Sequence, residues 1–445
     1  MKVKDFAARA LGVLLSTVAT AGCLDTQNRR PAEAPRSSRT EASAASLGRA
    51  DQPQPADEKR LGAFGLELFW PMKLTDETIS KLQLEADPVT GVGSLYAFTE
   101  SNRLYQIDVV SGKVNWVFDV GRPLSFMEHD RPISEFVYPV DPTFKRYDEV
   151  YFIAKDTLYA LDKKEGSELW RRELKFTPAS PPQATMTHVL VGAWDQRVYA
   201  FLKSDPTEKD WMYRTDGDIV ARPAQDVPAQ AFVASMDGKL YTFNVSSGEP
   251  TAVFRTEKAL SADPLVYRKL VYFGSEDFNL YVLSALDGRQ EYRYPTGAKI
   301  TKAPIAIANP TQKGATTDTI YVKTDGPDGG IIAIYRGGKV PGTSKTSHEF
   351  LWKRDGATQV IARGRDTVFL LEPAGAEDAA RTKRLVKLDF KSAYLRDEVK
   401  LTGVDYYITN PVAPEKKALL GGLVFLGYRN GWILAYKEKS PYPTE

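Results

Sequence analysis

From about residue 64 the chain alternates short apolar runs with turn residues, and the alternation recurs along its whole length. The unit is an apolar strand, a small or acidic turn, a strand of the type Leu-Tyr-Ala-Leu-Asp, a glycine-containing turn, and a strand with an aromatic anchor. Clear copies are SLYAFTESNRLYQIDVVSGKVNW at 94–116, EVYFIAKDTLYALDKKEGSELW at 149–170 and AFVASMDGKLYTFNVSSGEPTAVF at 231–254. Within each run apolar and polar positions alternate, Val, Ile, Tyr, Phe and Trp dominate, and Asp-Gly, Ser-Gly or Asn-Gly stand at the turns, which predicts antiparallel strands joined by hairpins. Equivalent positions are Tyr105, Tyr159, Tyr199, Tyr241, Tyr281, Ile332, Val386 and Leu434, separated by 40 to 54 residues. That is the period of a four-stranded propeller blade.

The fourth strand of each unit is assigned to short proline-bearing stretches: Ala179-Ser180-Pro181, Ala221-Arg222-Pro223, Ala262-Asp263-Pro264, Ala303-Pro304 and Asn410-Pro411. The last unit ends soon after Tyr436 and lacks its outer strand, whereas Leu66 to Trp70 has that strand's form. The expected fold is therefore all-β, an eight-bladed propeller of four-stranded antiparallel blades closed by an N-terminal strand, which removes the open edge. Trp116, Trp170, Trp211 and Trp352 fall in outer strands, with Trp70, Phe254 and Tyr292 in equivalent roles. An aromatic recurring once per blade is expected to wedge between neighbouring blades.

The N-terminus departs from this pattern. Lys2, Lys4 and Arg9 precede a short apolar stretch, Ala10 to Ala19, and then Thr-Ala-Gly leads into Cys23. The stretch is too short to span a bilayer but suits a secretory signal. The small residues before Cys23 resemble the lipobox of bacterial lipoproteins, which implies a lipidated Cys23; an ordinary signal peptide cleaved near Ala21 is the other reading. Cys23 is the single cysteine of 445 residues, so no intrachain disulfide or cysteine metal site exists. Residues 23–60 follow as an aromatic-free tether rich in Ala, Pro, Ser and Arg. The expected division is thus 1–22 signal peptide, 23–60 tether and 61–445 propeller. Lys and Arg total 59 against 57 Asp and Glu, and removing the leader leaves the two equal. Such a balance provides no footprint for nucleic acid or for general adhesion to anionic lipid.

The Leu-Tyr-Ala-Leu-Asp strand with Gly112 four residues before Trp116, and Gly166 four before Trp170, resembles the quinoprotein-type propeller repeat. That group includes pyrroloquinoline-quinone dehydrogenases and the BamB-type lipoproteins of outer-membrane β-barrel assembly. The dehydrogenase branch implies a vicinal disulfide, a calcium ion and large insertions, and the cysteine count opposes it. The BamB-type branch implies a lipid-anchored scaffold that docks on the periplasmic part of a barrel-assembly protein, at the periplasmic side of the outer membrane; the cell surface and the inner membrane are the other placements.

Chemistry is sparse. The three histidines, His129, His188 and His348, have no metal-ligand spacing and are placed in a connector, before an inner strand and before an outer strand. The segment 324–330 is read as a hairpin turn rather than a calcium loop. No catalytic residue, cofactor or metal is expected. Two departures from the minimal blade are the candidates for function: the connector 121–147 and the polar insertion 373–383. Phe136 to Val140 is read as the inner strand of blade 2, leaving 122–132 as the candidate partner patch, with Arg122, Phe126, Met127 and Arg131. The expected role is a non-enzymatic, monomeric protein-binding scaffold of the cell envelope; a quinone-binding enzyme subunit and a carbohydrate- or cell-wall-binding propeller are the alternatives.

Overall fold

A computed structural model describes residues 55–86, 93–121, 133–134, 149–226, 229–309, 317–343, 345–375, 382–414 and 420–439. The chain divides into Met1–Arg36 and Ser37–Glu445, and every described residue belongs to the second unit. There, strands pair into eight four-stranded antiparallel sheets. Blade 1 spans 79–119, blade 2 133–173, blade 3 183–214, blade 4 224–255, blade 5 265–295, blade 6 305–355 and blade 7 359–402. Blade 8 combines 406–438 with the N-terminal strand Leu66–Lys73. Second strands are buried on both faces, as in His188–Gly192 and Leu270–Gly274. The cause is that each sheet is covered on either side by a neighbouring blade, so continuous apolar runs replace alternation. Outer strands return to alternation; Glu168–Glu173 and Gln290–Pro295 turn one face to solvent.

Leu66–Lys73 runs antiparallel to Trp432–Glu438, with Leu66 opposite Glu438 and Lys73 opposite Trp432, so the first strand closes the last blade. The eight repeat-marking positions from Tyr105 to Leu434 all fall in third strands. Antiparallel order puts the turns between second and third strands, and the blade-to-blade connectors, at one end of the ring, here the upper end. Turns between first and second and between third and fourth strands lie at the lower end.

The outer-strand aromatics join neighbouring blades, through one repeated contact. Trp70, Trp116 and Trp211 lie so close to Gly112, Gly166 and Gly248 of the next blade's lower turn that a Cβ there would come within 2.7 Å of the indole or nearer. Their indole N–H groups donate to the carbonyls of Val109, Lys163 and Val245 at 2.8–3.0 Å, and Trp352 donates to Phe390 O at 2.7 Å. Each ring also packs on its own second strand, as in Tyr96–Trp116 and Tyr321–Trp352. Tyr292 occupies the same register, opposite Val282, but Phe254 does not. Blade 4 has Ala252, opposite Thr242, in the tryptophan position, and Phe254 lies two residues further on, opposite Leu240.

Several boundaries shift. Inner strands are Gln183–Ala184, Ala224–Asp226, Leu265–Tyr267 and Ile305–Ala308, each beginning one or two residues after its proline, because proline has no N–H for the ladder. In blade 8 the strand Tyr406–Ile408 precedes Pro411. Blade 2 takes Ile133–Ser134 as an inner strand, paired with Tyr151 and Val150; Phe136 to Val140 lies outside the described residues. Pro55–Ala63 forms helix α1, so the last six residues assigned to the tether, 55–60, are helical. Leu61 and Phe64 are buried between blades 7 and 8, Phe64 packing on Phe369 at 6.0 Å. Blade 8 has no lower turn at its outer strand, since the chain enters and leaves there, and α1 fills the junction where the indole–glycine contact has no partner. No helix among the described residues is long and apolar enough to cross a membrane.

Candidate functional site

The upper turns of blades 3, 4 and 5 are built alike. Asp195, Asp237 and Asp277 each accept the phenol of the tyrosine four residues on: Tyr199 at 2.5 Å, Tyr241 at 2.6 Å and Tyr281 at 2.8 Å. Arg197 and Lys239 reach the first two carboxylates as well. Blade 1 has a variant in which Glu77, from the preceding connector, accepts Tyr105 and Arg103. Burial alone would raise the carboxyls of Asp237 and Asp277, but hydrogen bonds from the tyrosine and from backbone N–H groups outweigh it and hold them below their ordinary value. Burial, then the facing carboxylate, pushes the Tyr199 and Tyr281 phenols up to about 12. The pairs are charged-acceptor latches that fix each turn.

On these fixed turns stand Trp194, Met236 and Phe278, exposed by 47%, 38% and 47%. They occupy three consecutive blades at the same end of the ring. Phe278 is held at φ 69°, at the position where other upper turns carry Gly238 and Gly431 or the polar Asn102 and Gln196, so it is the bulky apolar side chain, not the backbone conformation, that sets this turn apart. A bulky side chain there costs roughly 1–2 kcal/mol of backbone strain, and one left 47% exposed offsets only part of it by burial. Strain that stability does not explain points to function. Sequence reading missed all three residues; the signal was an Asp-x-x-x-Tyr repeat whose turn carries an apolar residue that packing does not need.

The patch expected at Arg122, Phe126, Met127 and Arg131 lies outside the described residues, as do Cys23 and His129. The insertion 373–383 connects the second and third strands of blade 7, and its ends, Pro373 and Thr382–Lys383, belong to those strands. Segment 324–329 is the hairpin turn between Asp318–Lys323 and Gly330–Lys339.

Both described histidines lie within strands rather than before them. His188 opens Val-Leu-Val-Gly of blade 3, buried, with Nε2 2.8 Å from Asp210 and Nδ1 2.8 Å from Thr187. His348 stacks on Tyr292 at 4.8 Å and meets the Tyr272 hydroxyl at 3.1 Å, at the junction of blades 5 and 6. Burial, opposed in part by the Thr346 carbonyl, lowers His348 to about 4. Nearby, the buried Asp318 accepts Arg336 at 2.7 Å, Arg268 at 3.0 Å and Tyr267 at 2.9 Å, so its carboxylate is fully engaged by two guanidinium groups and a phenol. Among the described residues no three His, Cys, Asp or Glu side chains converge to hold a metal. With no cysteine beyond Cys23, these residues do not match a calcium–quinone centre flanked by a vicinal disulfide.

The family described as "Outer membrane protein assembly factor BamB" matches residues 142–231 and 221–439. Comparison with curated proteins returns no match. Among solved structures, BamB from Moraxella catarrhalis is 14% identical, with a TM-score of 0.56 over 85% of this chain and 99% of that one. The computationally designed Ika8 protein is 13% identical with a TM-score of 0.53, covering 83% and 99%. The quinohemoprotein alcohol dehydrogenase ADHIIG from Pseudomonas putida HK5 is 12% identical with a TM-score of 0.52, covering 86% and 77%. At these identities the structural likenesses establish the propeller fold alone.

Proposed function

This chain belongs to the family of the outer membrane protein assembly factor BamB, and on that premise we propose that it is a non-enzymatic scaffold of the cell envelope whose upper face binds a protein partner. The observation that carries the reading is Phe278: an aromatic kept half exposed in a strained backbone position, with Met236 and Trp194 exposed at the same end of the two preceding blades. Aromatic and methionine side chains are enriched at protein interfaces, and tryptophan is among the residues that carry most of the binding energy there. The family name supports an outer-membrane barrel-assembly protein as the partner. Attachment through a lipidated Cys23, with residues 1–22 as the signal peptide and a tether leading to α1, belongs to the same reading.

The test is affinity purification from detergent-solubilised envelopes. The natural chain should recover a barrel-assembly protein. The triple variant Trp194→Ala, Met236→Ala and Phe278→Gly should lose at least about tenfold of that recovery, since each such truncation costs roughly 1–2 kcal/mol. Its melting temperature should not fall, because glycine relieves the strain at 278. Undiminished recovery by the variant would dismiss this face; recovery of a bound quinone or glycan instead of a protein would replace the reading.

A further inference from the structure

The near-zero net charge of the chain conceals a separation between the two ends of the ring. At the lower end of blades 5 to 7, the described loops carry Lys269, Lys345, Arg365 and Lys391 against Asp287 and Asp366, and the adjoining strand ends add Lys339 and Asp389. Arg268 and Arg289 add to them but are engaged by Asp318 and Glu291. At the upper end of the same blades the balance reverses, with Glu276, Asp277, Asp325, Asp328 and Asp405 against Lys299 and Lys302.

The same lower loops carry apolar tips. Leu286, in the outer turn of blade 5, is 84% exposed, and Tyr394, in that of blade 7, is 74% exposed. No other large apolar side chain among the described residues exceeds 48%. Between them the long outer hairpin of blade 6 presents Val340, 39% exposed, flanked by Lys339 and Lys345. The apolar groups are not one contiguous patch, as a protein interface core would be. They are separate tips on three successive blades with lysines between them. A soft, flat, anionic surface accepts that arrangement: leucine and tyrosine enter the interfacial layer while lysine heads meet phosphates.

We propose that the lower end of blades 5 to 7 docks on the headgroup region of an anionic bilayer, with Leu286, Val340 and Tyr394 as insertion points. This goes beyond the protein-binding reading and leaves the upper face turned away from the lipid. The test uses the full chain carrying Cys23→Ala, so that no acyl group contributes, in co-sedimentation with vesicles of phosphatidylglycerol and phosphatidylethanolamine or of phosphatidylcholine alone. Binding should favour the anionic vesicles and weaken as salt is raised. Adding Leu286→Glu with Tyr394→Glu, or Lys339→Glu with Lys345→Glu, should reduce it about tenfold or more, given that each cation near such a surface is worth roughly fivefold. Lys258→Glu, in the connector between blades 4 and 5 at the opposite end, should leave it unchanged. Equal binding to both vesicle types, or lower-end variants that bind as well as their parent, would overturn the proposal. No partner protein is present in this assay, so its outcome is independent of the purification test.

Discussion

At the scale of single residues, the ring is held by a contact that tolerates no extra atom. A Cβ at Gly166 would lie 2.4 Å from the Trp116 ring, and the residue sits at φ 71°. Gly166→Ala should therefore cost about 2–4 kcal/mol, overpacking adding to left-handed strain. Blade 7 supplies the converse: Ala393, at φ 54°, occupies the position glycine fills in other lower turns, donating its N–H to Asp389 O. Ala393→Gly should stabilise by about 1 kcal/mol. Denaturant midpoints of the two variants check both signs. His348 supplies a pH dependence. Its folded-state value near 4 lies below the ordinary 6.5, so the unfolded chain binds more protons between those values and stability falls as pH drops from about 6.5 to 4. His348→Phe, which keeps the ring against Tyr292, should flatten the melting-temperature profile in that window; an unchanged profile would assign the acid sensitivity elsewhere. The tryptophan register was legible because the indole follows the turn glycine by four residues, as Trp116 follows Gly112. The same count from Gly248 gives Ala252, but the more conspicuous Phe254, two residues further along the same strand, stands out in the sequence where the alanine does not.

Among the elements, α1 shows what composition averages away. A nine-residue helix is too short to persist in water by its own propensity, and the aromatic-free stretch before it reads as tether. It forms because Leu61 and Phe64 enter the space between blades 7 and 8, where Leu61 is fully buried. Leu61→Ala should accordingly cost about 2–4 kcal/mol, measurable as a lowered denaturation midpoint, whereas Lys59→Ala on its exposed face should be neutral within about 0.5 kcal/mol. The inner strands were harder to place than the second and third ones. With two to four residues in blades 2 to 6, they carry too few positions for alternation to register, and only the neighbouring prolines announced them. The docking turns escaped notice for another reason: Trp194, Met236 and Phe278 depart from the repeat, and a reading built on recurrence discards departures.

For the whole molecule, closure by the first strand decides whether eight blades behave as one ring. Leu66–Lys73 supplies the outer strand of blade 8, and Trp70 bridges it to blade 1. Deleting residues 24–54 should leave the melting temperature unchanged. Deleting 24–73 should expose the edge of Trp432–Glu438 and remove a buried indole, itself worth about 3–5 kcal/mol, so that the protein melts far lower or aggregates. Equal melting of the two truncations would show that the ring is held shut by other contacts. The eight-bladed plan and its closure were open to sequence reading because they depend on recurrence, and every blade repeats the evidence. The separation of charge between the ends was not, because a sum over the chain cancels what the turns divide.

That closure also imposes an order of events on folding. Lys439 bonds to Gly62 O across 377 positions of chain, so the earliest strand of the ring to be synthesised is among the last to find its partner. Until the C-terminal strand arrives, Leu66–Lys73 has no ladder to join, and seven completed blades remain an open arc whose two end blades each leave a face uncovered. Contacts so distant in sequence close slowly, and unpaired edges recruit neighbours in the meantime. The chain thus passes through a vulnerable interval set by its own topology, and an escort that shields strand edges would act on it before the protein could act on any partner.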